Sequence, residues 1–240
     1  MSDDVQLLAP GLWSLGQTMG GRVHAFLCDD GTQLTLVDTL YDTDGARILR
    51  QIAKIGRLPS DLKHIVLTHA HRSHLGGLAA LKRASGATIY AHEWEADIIS
   101  GQREAQRVRL LPHRPLRTYI PFQLFCALGI GKHPPCPVDQ YVAGGDRIGP
   151  LELIDAPGHS VGHLAFVWPD RKALLAGDAI ATWPSDLPGW PSFTLNERKH
   201  RESLRRLVDV EPEILGVGHG PSVVTGARAR IRSIVDTLGN

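Results

Sequence analysis

The stretch Ile65-Val66-Leu67-Thr68-His69-Ala70-His71-Arg72-Ser73-His74 decides how this chain folds. Its first four residues are apolar or β-branched and read as a buried strand. The next six release three imidazoles, at i, i+2 and i+5, into a turn. Neutral imidazole is a common ligand for zinc and iron, and alternating residues leaving a strand end can converge on one point. A single histidine here would suit a solvated polar loop. Three in six residues, followed by Leu75-Gly76-Gly77, point to a metal site.

The rest of the chain supplies partners of the same kind. His159 lies in Asp155-Ala156-Pro157-Gly158-His159-Ser160-Val161-Gly162-His163, after the apolar run Leu151 to Ile154. Asp178 closes Ala173-Leu174-Leu175-Ala176-Gly177-Asp178, and His219 follows Ile214-Leu215-Gly216-Val217-Gly218. Each is a strand that ends by presenting one ligand-type side chain. Glycines flank these positions, as needed where the backbone turns sharply or approaches an ion closely. Any one motif alone is weak; four in one chain support each other.

In order and spacing these residues resemble the metallo-β-lactamase-fold hydrolase superfamily, from about Val5 to the C-terminus. That family's pattern is His-x-His-x-Asp-His, then a single His, a single Asp and a final His, each at a strand end. The matching positions here are His69, His71 and His74, then His159, Asp178 and His219. Leu36-Val37-Asp38-Thr39 matches a further strand whose Asp supports the site from behind. The resemblance implies an α/β fold, a four-layer αβ/βα sandwich of two mixed β-sheets with the metals at one edge. It also implies a first metal on His69, His71 and His159, and a second on His74 and His219, with Asp178 bridging.

One position departs from the pattern. Ser73 stands where the family has Asp, a ligand of the second metal. A hydroxyl is a poor zinc ligand beside a carboxylate, and the exchange removes a negative charge. Ser73 is therefore expected behind the ligands with Asp38, and the cofactor is expected as Zn2+, one or two per chain, the second held more weakly. Fe2+ is the alternative metal.

Composition narrows the classes. Over 240 residues, 42% apolar content supports a large core, and a net charge of +1 offers no electrostatic case for nucleic acid or an acidic membrane. Three cysteines make no disulfide framework, although Cys126 and Cys136 could pair; Cys28 reads as a small core hydrophobe. The acidic start Met1-Ser2-Asp3-Asp4 does not read as a signal peptide, and no apolar run is long enough to span a bilayer. A cytoplasmic enzyme of one domain, 1–240, is expected.

Periodicity places helices at Asp44–Ile55, Leu75–Ala84, Glu93–Val108, Asn196–Val208 and Ala227–Leu238, with strands between them. The rhythm breaks at about 93–142, an insertion expected to form a pocket wall or a homodimer contact. Trp183, Trp190 and Phe193, in a Pro-rich stretch after Asp178, are expected to line an apolar substrate pocket. His163 is a candidate catalytic group beside Asp178. The leading functional expectation is hydrolysis of an ester, thioester or lactone by metal-activated hydroxide, on a small-molecule substrate with an acyl or aromatic part. Two alternatives stand beside it. One is a mononuclear iron persulfide dioxygenase on His69, His159 and Asp178; the other is a binding protein with a decayed site.

Overall fold

The computed structural model of the chain describes residues 4–104, 132–189 and 193–238. Two mixed sheets organise them. The first contains β1 (Asp4–Ala9), β2 (Leu12–Gln17), β3 (Val23–Asp29), β4 (Leu34–Val37), β5 (Leu62–Val66), β6 (Thr88–Ala91) and β7 (Gln140–Tyr141), side by side in chain order. Pairing is antiparallel from β1 to β4 and parallel from β4 to β7. The second contains β8 (Arg147–Ile148), β9 (Leu151–Asp155), β10 (Leu164–Trp168), β11 (Ala173–Leu175) and β12 (Ile214–Gly216), also in chain order. Only β11 and β12 run parallel there.

Alternation along the strands explains why the sheets stack. In β3, Val23, Ala25 and Leu27 face one way, and Phe26 and Cys28 the other. Phe26, Val37 and Val66 of the first sheet meet Leu153, Phe166, Trp168 and Leu175 of the second in a shared core. The opposite face of each sheet carries helices. Against the first pack α2 (Ala46–Lys54) and α4 (Leu78–Ser85), through Ile48, Ile52, Leu78 and Leu81. Against the second pack α6 (Glu197–Val208) and α7 (Ala227–Asp236), through Leu204, Leu207, Ile231 and Ile234. Helix, sheet, sheet, helix is the expected four-layer order. Among the described residues no helix is long and apolar enough to cross a membrane.

Three helix expectations need correction. The helix expected at Leu75–Ala84 is two pieces, α3 (Arg72–Leu75) and α4. The chain bends at Gly76 and Gly77 because their N–H groups bond the Leu40 and Thr39 carbonyls, and a Cβ at Gly76 would overlap the Tyr41 carbonyl. The helix expected from Glu93 to Val108 is α5 (Glu93–Ile99). It stops because Gly101 takes φ +77 and bonds back to Ile98; residues 105–108 lie outside the described residues. A single helical turn, α1 (Met19–Arg22), was not expected at all; Gly20 and Gly21 break it at φ +86 and +88. Cys126 also lies outside the described residues; Cys136, with which it could pair, is buried.

Candidate metal centre

The expected ligands leave strand ends on one edge of the stacked sheets. His69 follows β5, His159 follows β9, Asp178 follows β11 and His219 follows β12. His74 sits in α3, one short turn beyond His71. Their donor atoms form two groups that share Asp178: His69, His71, His159 and Asp178, and His74, Asp178 and His219. Asp178 Oδ2 lies 3.6 Å from His69 Nε2, 3.3 Å from His159 Nε2 and 3.3 Å from His219 Nε2. Its Oδ1 lies 3.3 Å from His74 Nε2, and His71 Nδ1 lies 3.0 Å from His159 Nε2.

Those separations test whether a cation fits. Ligands 2.0–2.1 Å from a tetrahedral ion stand about 3.3 Å from one another, which is the spacing seen. Unmet bonding capacity points the same way. His69 Nε2, His74 Nε2 and Asp178 Oδ1 are buried and have no hydrogen-bond partner. An orphaned buried polar atom costs about 1–3 kcal/mol, and three aimed at one another call for a charge between them. The donor set of imidazoles and one carboxylate suits zinc or iron.

Hydrogen bonds behind the ligands fix which ring nitrogen faces the centre. Thr68 donates its hydroxyl to Asp38 Oδ2 (2.8 Å), so its oxygen accepts from His69 Nδ1–H (2.9 Å). His74 Nδ1–H donates to the same Asp38 oxygen (2.8 Å), and the Thr68 N–H donates to the other (2.8 Å). One buried carboxylate thereby sets the tautomer of a ligand in each group. Asp38 does this from a left-handed backbone, φ +59, rare for a residue with a Cβ. On the far side His219 Nδ1–H donates to the Gly21 carbonyl (2.8 Å).

Charge follows from these contacts. Burial pushes the His69 and His159 imidazoles well below their ordinary range, so both rings are neutral and ready to coordinate. Burial alone would raise the Asp178 carboxyl, but His219 and His74 beside it hold it well below the usual carboxylate range. His74 goes the other way. Burial opposes its charge, yet Asp178 and Asp38 on either side raise it to about 10.

The other expected site residues fall in varied settings. His163 is buried, and its Nε2 accepts the backbone N–H of Asp178 (3.1 Å). Burial pushes it down to about 3. The neutral ring, with its Nε2 engaged by this bond, positions the Asp178 turn. Ser73 is half-buried in α3, immediately before His74. Trp183 is half-buried with the Arg22 guanidinium over its ring, 5.7 Å from the centroid. Phe193 is buried. Trp190 lies outside the described residues. Sequence reasoning missed Thr68, Gly21 and Gly218. A Cβ at Gly218 would overlap Asp178 Oδ1, and the glycine before His219 was the only available signal of that closeness.

The family model of the metallo-beta-lactamase superfamily matches residues 18–219, spanning every ligand position above. The chain belongs to the metallo-beta-lactamase superfamily. It is 28% identical over 210 residues to the uncharacterized protein YobT of Bacillus subtilis (strain 168), covering 82% of this chain and 83% of that one. It is likewise 28% identical over 209 residues to a hydroxyacylglutathione hydrolase of Ruegeria pomeroyi, covering 78% of this chain and 68% of the relative. Among solved structures, the protein TTHA1623, determined in a di-iron-bound form, superposes with a TM-score of 0.64 at 25% identity. That match covers 90% of this chain and 97% of the other. Membership of that superfamily and a buried His/Asp cluster together fit a metal-dependent hydrolase.

Proposed function

We propose that this chain is a zinc-dependent hydrolase that cleaves an ester, thioester or lactone. The observation that carries the reading is the convergence of five histidines and Asp178 with three buried, unpartnered donor atoms among them. His69, His71 and His159 would hold one cation and His74 with His219 a second, Asp178 serving both. Such a cation brings bound water to ionisation near neutral pH and polarises a substrate carbonyl.

The protein's own groups do the rest. Asp38 and Thr68 keep the Nε2 lone pairs of His69 and His74 directed inward, and His163 holds the Asp178 turn in register. Burial of the ligand set excludes bulk water and strengthens every charge interaction at the centre. The kinship with a hydroxyacylglutathione hydrolase supports acyl substrates. The di-iron relative makes iron the alternative metal. His71 at 3.0 Å from His159 gives the first group four donors, which supports the hydrolase over a facial-triad dioxygenase on His69, His159 and Asp178.

The test is metal content of protein purified without added metal, with turnover of generic esters, thioesters and lactones after chelation and zinc restoration. Zinc-restored hydrolysis is expected. His69→Ala should lose the first zinc and lower kcat/KM by at least about a thousandfold, since it removes the ion that the chemistry needs. Full activity in that variant would refute the assignment.

A further inference from the structure

Glu95 is a buried carboxylate that the chemistry above does not use. It lies in the first turn of α5, 3% exposed, and its two oxygens accept from two different loops. Oε2 accepts the N–H of Ala70 (3.1 Å), and Oε1 accepts the N–H of Gly162 (2.8 Å). Ala70 stands between His69 and His71. Gly162 stands between His159 and His163. A Cβ at Gly162 would lie 3.0 Å from Glu95 Cγ and 2.8 Å from His92 Nδ1, so the helix sits flush on that loop because the residue is glycine.

The two loops are otherwise joined at their roots, where the Leu164 N–H donates to the Thr68 carbonyl (2.9 Å). Glu95 joins them further out, beside the ligands themselves. We propose that Glu95 is the positioning residue of the first metal group: by holding Ala70 and Gly162 it sets the spacing of His69, His71 and His159. This rests on the reading of the cluster as a metal centre.

The chemistry requires the ionised acid. A carboxylate accepts at both oxygens, whereas a carboxamide has one acceptor and turns an N–H2 toward the second N–H. Glu95 braces the first group as Asp38 braces His74. The two differ in means: Asp38 touches a ligand ring, and Glu95 acts through backbone. His74 and His219 lie outside the clamped segments, so the clamp acts on one group of ligands and not the other.

The experiment uses the full chain, stripped of metal, and zinc as the probe with a competing chelator. Glu95→Gln is introduced into a His219→Ala background, where the first group alone remains complete, and into a His71→Ala background, which keeps the second. Zinc affinity is expected to fall about 10- to 100-fold in the first background and stay within about twofold in the second. In the unsubstituted metal-free protein, the Ala70 and Gly162 amides should be slow to exchange and shifted downfield, and Glu95→Gln should remove both signatures. Fast exchange of those amides in the unsubstituted chain overturns the clamp without recourse to any variant. Unchanged zinc affinity in Glu95→Gln, or equal loss in both backgrounds, overturns it while leaving the metal centre intact. Failure of the unsubstituted chain to take up zinc overturns both.

Discussion

At the scale of single residues, Ser73 and Asp38 carry the contrast between the two halves of the centre. Ser73 leaves the second group with His74, His219 and the shared Asp178. A unit charge about 4 Å from a monovalent partner is worth about 4 kcal/mol at an effective dielectric of 20. Even heavily discounted for the lost hydration of the new carboxylate, Ser73→Asp should tighten the second zinc at least about tenfold, or about 1.4 kcal/mol. Chelator competition reads this directly, and an unchanged second affinity would show that Ser73 does not weaken the second group. Asp38 acts on both groups, because its oxygens accept from Thr68 N–H, Thr68 hydroxyl and His74. Asp38→Asn keeps the shape but turns donors toward donors. Zinc affinity should drop about 10- to 100-fold, with both ions affected, as seen by titration of the metal-free variant.

At the scale of elements, helices brace ligand loops from the side. The start of α6 is one such brace. The Asn196 side chain accepts the Lys199 N–H (3.0 Å) and caps the helix, while its own N–H donates to the Gly158 carbonyl (2.9 Å) beside His159. Asn196→Ala should cost about 1 kcal/mol, lowering Tm by about 2–4 °C for a domain of this size. An unchanged Tm would show that the cap contributes nothing. Element boundaries were legible in the sequence wherever the pattern and the stop signal agreed. Asn196 and the helix it caps are an example: polar cap, then apolar residues at helical spacing. The expected Leu75–Ala84 helix failed because Gly76 and Gly77 look like tolerable helix residues in isolation. What makes them a bend is the Thr39–Tyr41 backbone packed against them, which is 35 to 38 residues away in the chain.

At the scale of the whole molecule, burying neutral histidines links stability to pH. His200 is 3% exposed, its Nε2–H donates to the Pro188 carbonyl (2.9 Å), and burial pushes it below the ordinary value of 6.5. Above about 6.5 the ring is neutral in both folded and unfolded chains, so it adds no pH dependence. As pH falls below 6.5 the unfolded chain takes up a proton that the folded chain refuses, and stability declines. His200→Gln retains a donor and cannot titrate. Denaturant unfolding at pH 7.5, 6.5 and 5.5 should show a shallower decline in the variant, by at most about 1.4 kcal/mol per pH unit. Parallel curves would mean that folded His200 protonates freely.

The sequence by itself determined the ligand types and the elements that present them. Apolar runs ending in His, Asp and glycine are local signals, and a strand end fixes where its next few residues can point. The two-sheet architecture was legible through the family resemblance those motifs carry; in the folded chain, alternation along the strands supplies the two faces to be buried. Which partners complete the centre was decided only by tertiary structure. His163 reads from sequence as a catalytic candidate, and its role as an acceptor for the Asp178 backbone depends on β10 lying beside β11. Glu95 carries no signal in its own helix, since a glutamate in the first turn is ordinary there. It acquires a role only because parallel pairing of β5 and β6 sets α5 against the loop after β5, and sheet stacking brings the His159 loop to its other side. Ligand identity is encoded locally; the hydrogen bonds that orient ligands join segments distant in sequence, and only the folded chain brings them together.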